Sequence, residues 1–208
     1  MPIVDRNAGA FYDGGANSLY VPALARTTEW LSGFRGDTQE LIKALTSVGL
    51  VKGQRIVIVH AMFGWVAEEF IAQGYGPIAN GTTAGRIVNV DMSTWIHANK
   101  AAHATLPILS EDVTTTPGRR NIKSALGSPT QTIDWGIAYE ILPDLTDTEC
   151  ATFRTAMRAL ATKVVHWVTP LAGGPPGQDA RLNLKSISAW KTLMTPDYII
   201  GRGSASIV

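Results

Sequence analysis

The stretch that decides the fold is Arg55-Ile-Val-Ile-Val59-His60-Ala-Met-Phe-Gly64-Trp65. Its first half is a short apolar run rich in Val and Ile, which is typical of a strand buried on both faces of a sheet. A turn with one glycine follows, and residues 66–73 then carry apolar side chains at helical spacing. A strand, a tight turn and a helix N-terminus together form the unit on which nucleotide-like ligands bind in open α/β sheets.

Similar short apolar runs alternate with helix-length segments along the rest of the chain. The runs predict strands at Arg55 to Val59, Arg86 to Asp91, Leu106 to Leu109, Ile133 to Ala138 and Lys163 to Val168. The segments predict helices at Asp37 to Val48, Val66 to Gln73, Ser93 to Ala104, Arg119 to Leu126 and Asp147 to Ala161. We therefore predict an α/β fold with a Rossmann-like, mostly parallel sheet flanked by helices on both faces. We expect a reversal of strand order at the first and fourth strands, which opens a ligand crevice.

The last of these helices has the clearest local signals. Thr146 and Glu149 have the spacing of a capping box, and Cys150, Phe153 and Met157 recur at helical spacing. This stripe predicts a face buried against the sheet.

Domain boundaries follow from shifts in composition. Residues 1–36 mix aromatic residues with turn formers and predict an irregular arm or cap packed on the core. Residues 37–208 predict a single domain, with a Gly- and Pro-rich loop at 172–179 after the fifth strand. Residues 198–208 predict an edge strand or a tail.

The composition of the chain limits the classes of binding partner to expect. Lys and Arg number 18 against 17 Asp and Glu, so the net charge of +1 provides no field that attracts nucleic acid or an acidic membrane. A single cysteine, Cys150, and an N-terminus without a basic and then apolar segment predict a reducing compartment. No apolar run approaches the roughly 18 residues that span a bilayer. We predict a soluble, cytoplasmic protein with no membrane partner.

The turn after the first strand also excludes familiar cofactors. A dinucleotide fingerprint needs three glycines, and here Met62 and Phe63 precede a single one. No Gly-Lys-Ser or Gly-Lys-Thr triplet occurs, which excludes a P-loop, and no Gly-x-Ser-x-Gly elbow supports an α/β hydrolase. A cofactor without phosphates is left.

Asp91 ends the second predicted strand. An acidic residue at this place hydrogen-bonds ribose hydroxyls in dinucleotide-binding folds. The alternative is that Asp91, followed by Ser93, caps the next helix.

Four ordered segments carry a family resemblance: Val59 to Trp65, Val90 to Trp95, Leu109 to Asp112 and Ile133 to Asp147. Their order and spacing resemble the motifs of class I S-adenosylmethionine-dependent methyltransferases over about Leu41 to Pro170. The first motif is degenerate, because it has one glycine and has His60 where the family has an acidic residue. In its shortness the chain resembles methyltransferase-like proteins encoded by tailed bacteriophages.

The resemblance implies S-adenosylmethionine as cofactor and assigns residues to it. It implies Gly64 against the amino-acid part, Asp91 on the ribose, Met92 beside the adenine, Asp112 on the adenine amino group, and Tyr139 with Glu140 near the methionine end. His60 and Trp65 complete the predicted cofactor-binding set: His60, Gly64, Trp65, Asp91, Met92, Asp112, Tyr139 and Glu140. Core packing stays open as the role of Met92, Tyr139 and His60, and a solvated turn stays open for Glu111 with Asp112.

Motifs that are missing from the sequence narrow the class of molecule that could accept the methyl group. Tyr139-Glu140-Ile-Leu-Pro stands where amino-methylating DNA enzymes have an Asn or Asp, Pro, Pro, aromatic run, and no Pro-Cys nucleophile stands there. The spacing of His97, His103 and His166 suggests no metal cluster. The sequence therefore predicts methyl transfer to a small molecule or a protein side chain, with residues 173–177 and 181–193 as a lid. The alternative is a catalytically inactive methyltransferase fold used as a structural or interaction module in a bacteriophage. For either, we predict a homo-oligomer or a phage partner that binds through the aromatic N-terminal arm.

Overall fold

The computed structural model describes residues 28–60, 63–79, 85–93, 96–98, 106–168 and 185–201. Within these residues the chain forms one five-stranded sheet in the order β2-β1-β3-β4-β5, and every pairing is parallel. The strands are β1 Ile56–Val59, β2 Ile87–Val90, β3 Ile133–Tyr139, β4 Ala161–Val168 and β5 Tyr198–Gly201. The helices are α1 Thr28–Ser47, α2 Trp65–Ala72, α3 Thr116–Ala125, α4 Asp147–Leu160 and α5 Ile187–Met194, with a 3-10 turn at Leu142–Asp144.

The first strand lies inside the sheet and pairs on both sides. Val59 is in register with Val90 of β2 and with Ala138 of β3. The chain thus moves outward from β1 in one direction to β2 and then returns to the other side of β1 for β3. This confirms the predicted reversal of strand order between β1 and β3, the position at which a ligand crevice is expected in such sheets.

Alternating side chains of the strands enter two hydrophobic clusters, one on each face of the sheet. Val57 and Val59 belong to the cluster that α3, α4 and α5 cover, whereas Ile56 and Ile58 belong to the cluster that α1 and α2 cover. A strand that is buried on both faces needs apolar residues at every position, which explains the continuous Val and Ile run. The predicted α/β architecture with helices on both faces is confirmed.

The local signals in α4 have the predicted effect. Thr146 Oγ1 accepts from the amide of Glu149, and the Glu149 carboxylate accepts from the amide of Thr146, so the capping box is complete. Cys150, Phe153 and Met157 are all buried in the cluster on this face. Gly49, the predicted C-cap of α1, has a φ of 102°.

The first helix begins earlier than the sequence suggests. Residues 28–36, which we expected in an irregular arm, are helical, and residues 1–27 lie outside the described residues. Arg35 lies 3.5 Å from the carboxylate of Glu69 in α2, and such a tertiary contact offsets the cost, about 1 kcal/mol, of Gly36 within a helix. Asp37 is therefore an interior residue of α1 and not its cap.

The predicted third strand, Leu106 to Leu109, is wrong as a strand. It is reduced to a single parallel bridge between Val90 and Leu109, with the Leu109 amide 2.9 Å from the Asn89 carbonyl. Pro107 has no N–H to donate, which prevents a longer ladder.

Other predicted elements have different bounds in the structure or are described only in part. α3 begins at Thr116 and not at Arg119, because Thr115 Oγ1 caps the amide of Gly118. Of the predicted helix Ser93 to Ala104, residues 96–98 are helical, and 94–95 and 99–104 lie outside the described residues. The Gly- and Pro-rich loop at 172–179 and residues 173–177 and 181–184 of the predicted lid also lie outside them, whereas 185–193 are described and contain most of α5. The predicted edge strand exists as β5. No described helix is both long and apolar enough to cross a bilayer.

Candidate functional site

All eight predicted site residues lie at the carboxyl edge of the sheet. His60, Gly64 and Trp65 follow β1, Asp91 and Met92 follow β2, Asp112 follows the bridge at Leu109, and Tyr139 and Glu140 stand at the end of β3. Because all strands are parallel, these ends share one side of the molecule. Their positions at this edge follow from the strand order, and their side chains point in different directions.

The crevice between β1 and β3 is bordered by two residues with unusual backbone conformation. His60 has a φ of 62° and Glu140 a φ of 56°, so both are left-handed although neither is glycine. The left-handed region costs roughly 1–2 kcal/mol for a residue with a Cβ. A hydrogen bond of 2.9 Å between His60 Nδ1 and the Tyr139 carbonyl oxygen joins the two strand ends. Such strain, held in place by a cross-strand contact, is characteristic of functional sites.

The turn after β1 directs a helix N-terminus at the same edge. Gly64 has a φ of 82° and is the N-cap residue of α2. A Cβ on Gly64 would lie 3.1 Å from Nδ2 of Asn89, so both the conformation and the close packing require glycine. The first bond of the helix runs from the amide of Glu68 to the carbonyl of Gly64. The amides before Glu68 therefore have no acceptor within the helix and provide a partial positive charge.

Aromatic side chains fill part of this turn. Phe63 is fully buried and Trp65 is 4% exposed, and their ring centroids are 5.2 Å apart. The indole of Trp65 thus packs inward at the start of α2. Met62 lies outside the described residues.

Asp91 organises the segment after β2. Its Oδ1 accepts from the amide of Ser93 at 2.9 Å, and Ser93 Oγ accepts from the amide of Ile96, where the helical residues begin. The ring Nε2 of His97 lies 2.6 Å from the Asp91 carbonyl oxygen. Asp91 therefore supports the start of the next helix, as the alternative interpretation of the sequence had it, and the residue is only 2% exposed.

Asp112 is held in a tightly bonded turn and not in a solvated one. Its Oδ1 accepts from both the amide and the hydroxyl of Thr114, at 2.8 and 2.6 Å. Its carbonyl accepts from Thr115, which in turn caps α3. Oδ2 is buried and has no hydrogen-bond partner among the described residues. An acceptor in this condition costs about 1–3 kcal/mol, which a donor from a ligand would remove.

Met92 and Tyr139 do not converge on the crevice. Tyr139 is 3% exposed and stacks on Trp167, with ring centroids 6.0 Å apart and planes 7° from parallel. Met92 packs against the cluster on the opposite face of the sheet. Core packing, the other role that the sequence left open, describes both side chains.

The remaining reactive side chains are structural. Burial raises the pKa of the Cys150 thiol to about 12. Burial, and then the positive charge of Arg158, lower the pKa of His166 to about 3, so this imidazole is neutral. Within the described residues no group of three His, Cys, Asp or Glu side chains could hold a metal ion.

Sequence reasoning missed two polar residues beside the site. Asn89 is fully buried within β2, donates at 3.3 Å to the Pro107 carbonyl, and its Oδ1 has no partner in the described part of the chain. The signal was available, because an amide side chain inside the run Ile-Val-Asn-Val is unusual for a strand covered on both faces. His97, which contacts the Asp91 carbonyl, carried no such signal.

The geometry defines a Rossmann-like protein whose strand order reverses between β1 and β3, the place at which ligands bind in open α/β sheets. No protein-family model matches the sequence, and no curated protein sequence matches it either. The fold resembles solved structures of magnesium protoporphyrin IX methyltransferase from Synechocystis PCC 6803. The structure with bound SAM superposes with a TM-score of 0.52 at 13% identity, covering 84% of this chain and 74% of that chain. The structure with bound SAH gives 0.51 at 12% identity, covering 82% and 76%. At this identity the likeness shows the fold, which is of the class I methyltransferase type.

Proposed function

We propose that this protein binds S-adenosylmethionine at the carboxyl edge of β1, β2 and β3 and transfers its methyl group to a small molecule or a protein side chain. The proposal draws on the methyltransferase fold, whose solved examples carry SAM and SAH. The observation that carries it is the buried Oδ2 of Asp112, which has no hydrogen-bond partner among the described residues and lies at the same edge as the carboxylate of Asp91 and the ring of His60.

These groups match the chemistry of the cofactor. S-Adenosylmethionine presents donors at its ammonium, its ribose hydroxyls and its adenine amino group, and each requires an acceptor. Its single anion, the carboxylate, is suited to the partial positive charge at the N-terminus of α2. When bound, the cofactor supplies an electrophilic methyl group, so the protein needs no nucleophile of its own. Its task is to orient the cofactor and the acceptor in line.

Asp112 provides the sharpest test, because one of its oxygens is already committed to Thr114. In an Asp112→Asn variant the amide must direct its NH₂ either at the Thr114 donors or at the ligand, so one donor faces another. We expect calorimetric titration with S-adenosylhomocysteine to show micromolar binding by the wild type and at least about tenfold weaker binding by Asp112→Asn.

Glu111→Gln is the matched control, because Glu111 lies beside Asp112 and, among the described residues, its carboxylate accepts a hydrogen bond from Asn121 at the surface. This variant should bind as the wild type does. Asp91→Asn should also weaken binding, since it removes the charge that the proposal assigns to the ribose and keeps an oxygen for the Ser93 amide. The absence of both heat and a thermal shift at millimolar ligand in the wild type would overturn the proposal.

A second function has one observation in its favour. Phe63 and Trp65 are buried against each other in the turn where the cofactor's amino-acid part would lie. This supports an inactive methyltransferase fold that serves as a structural or interaction module. Failure of the wild type to bind S-adenosylhomocysteine would make this second function the leading one. A phage origin stays a prediction from the sequence.

A further inference from the structure

Asn89 is a polar side chain at a position where the fold calls for an apolar one. It lies within β2, whose four residues are all buried, and it is 0% exposed. Its Oδ1 has no hydrogen-bond partner among the described residues, and an unmet buried acceptor destabilises a fold. An apolar residue of similar size would avoid this loss, so packing of the core does not explain the asparagine.

The amide of Asn89 takes the place of a contact that the backbone cannot make. The Leu109 amide donates to the Asn89 carbonyl at 2.9 Å, and the Asp91 amide donates to the Leu109 carbonyl at 3.1 Å. Pro107 has no N–H, so the backbone cannot extend this short parallel contact. Asn89 Nδ2 extends it instead by donating to the Pro107 carbonyl at 3.3 Å. A carbonyl oxygen can only accept, which fixes the orientation of the amide.

The same amide packs against the turn after β1. A Cβ on Gly64 would lie 3.1 Å from Asn89 Nδ2 and 3.6 Å from the Cβ of Leu106. Asn89 therefore lies between two segments of the carboxyl edge, the Gly64 turn and residues 106–109. It sets the separation of these segments.

Residues 106–109 lead directly to Asp112, which is three positions after Leu109. Both backbone groups of Leu109 are bonded to β2, whereas Asp112 is bonded to Thr114 and Thr115 at the start of the next helix. The loop that carries the Asp112 carboxylate is thus anchored at two points. The anchor on the β2 side includes the Asn89 amide.

We propose that Asn89 is a positioning residue: its amide holds residues 106–109 against β2 and thereby sets the place of the Asp112 carboxylate at the ligand edge. This inference rests on the proposed function. Asn89 acts through Asp112 and contacts no ligand itself. The unmet Oδ1 is the loss of stability that accompanies this role, as is common where a site and a core make opposite demands.

The experiment separates placement from stability. Asn89→Val removes the amide and suits a strand, so its thermal midpoint should be no lower than that of the wild type. Calorimetry should nevertheless show binding of S-adenosylhomocysteine that is about threefold to tenfold weaker, since one hydrogen bond that fixes the site is lost. Asn89→Ala removes the same amide with a smaller side chain and should show the same loss of affinity.

Val88→Thr is the control for a general effect on the strand. Val88 is the neighbour of Asn89 in β2 and belongs to the hydrophobic cluster on the other face of the sheet. A hydroxyl buried there should lower the thermal midpoint and leave the affinity within about twofold of the wild type.

A double-mutant cycle tests whether Asn89 acts through Asp112. In the Asp112→Asn background, Asn89→Val should change the affinity by less than about twofold, because the group that Asn89 positions is already altered. Hydrogen exchange gives a measurement without ligand. The Leu109 and Thr114 amides should exchange at least about threefold faster in Asn89→Val than in the wild type or in Val88→Thr.

The outcomes are distinct. Equal affinity of wild type and Asn89→Val, or an equal loss in Val88→Thr, would overturn the inference while the proposed function stands. Additive effects of Asn89→Val and Asp112→Asn would also overturn it, because the two residues would then act separately. A wild type that does not bind S-adenosylhomocysteine overturns the proposed function, and unchanged exchange at Leu109 and Thr114 overturns the positioning role whether or not the ligand binds.

Discussion

The two edges of the sheet are built on opposite principles. At the amino edge, where the strands begin, polar groups are paired. The Arg55 guanidinium donates to Gln131 and to the Thr132 carbonyl, and its backbone amide donates to Asp134. The indole N–H of Trp135 donates to Gln54. At the carboxyl edge the chain has left-handed residues and buried acceptors without partners among the described residues. The comparison teaches that stability is concentrated where the strands begin, and that strain and unmet hydrogen bonds are concentrated where a ligand would bind.

The largest effect is expected at the amino edge, from Asp197→Ala. Asp197 Oδ2 accepts from the backbone amide of Val164 at 2.6 Å and from Arg158 at 2.7 Å, and so joins the start of β5 to β4 and to α4. Loss of two charge-assisted bonds should lower the free energy of unfolding by roughly 2–3 kcal/mol. Urea denaturation followed by circular dichroism measures this.

Asp147→Ala is the control for that substitution. Its ion pair with Lys185, at 3.2 Å, is exposed and at the start of α4, so removal should cost no more than about 1 kcal/mol. If the two variants were equally stable, the amino edge would have no special role.

A medium effect on the free energy of unfolding is expected from the titration of His166, which lies within β4. Its pKa is lowered to about 3 by burial and by Arg158, and neither ring nitrogen has a partner among the described residues. The unfolded chain binds a proton below about pH 6.5 and the folded chain does not. This contribution to stability is therefore present above pH 6.5 and is lost as the pH falls toward 3.

His166→Leu removes this titration. Between pH 7 and pH 5 the wild type should lose about 2 kcal/mol more of its unfolding free energy than the variant does. At pH 7 the variant should be at least as stable, because it no longer buries two unpaired nitrogens. Denaturation at both pH values gives the difference, and parallel pH profiles would contradict the assignment.

The smallest effect, and one of opposite sign, is expected at the carboxyl edge from Glu140→Gly. Glycine adopts the φ of 56° without strain, so the free energy of unfolding should stay the same or rise by up to about 1 kcal/mol. Glu111→Gly is the matched control, since its φ is not left-handed and the added freedom of the unfolded chain should destabilise it by roughly 0.5–1 kcal/mol. Thermal denaturation of both variants tests the contrast. A Glu140→Gly variant less stable than Glu111→Gly would mean that the edge is not strained.

Local signals in the sequence were reliable where one short-range force dominates. The capping box of Thr146 and Glu149 and the apolar stripe of α4 depend on neighbours within one helix, so the sequence contains all of their partners. The bounds of α1 and the lost third strand were not predictable in this way. They depend on Arg35 meeting Glu69 and on the single bridge of Val90 with Leu109.

By itself the sequence determined the class of the fold and the edge at which the candidate residues lie, because strand and helix periods and parallel topology follow from the order of apolar residues. Only the tertiary structure decided which side chains serve which purpose. It buried Tyr139 in the core and packed the partly buried Met92 against the cluster on the other face. It bonded one oxygen of Asp112 to Thr114, left the other without a partner among the described residues, and set His60 Nδ1 2.9 Å from the Tyr139 carbonyl oxygen. The physical reason is that these roles depend on partners far away in the chain, 79 positions for His60 and Tyr139, whose approach no local pattern records.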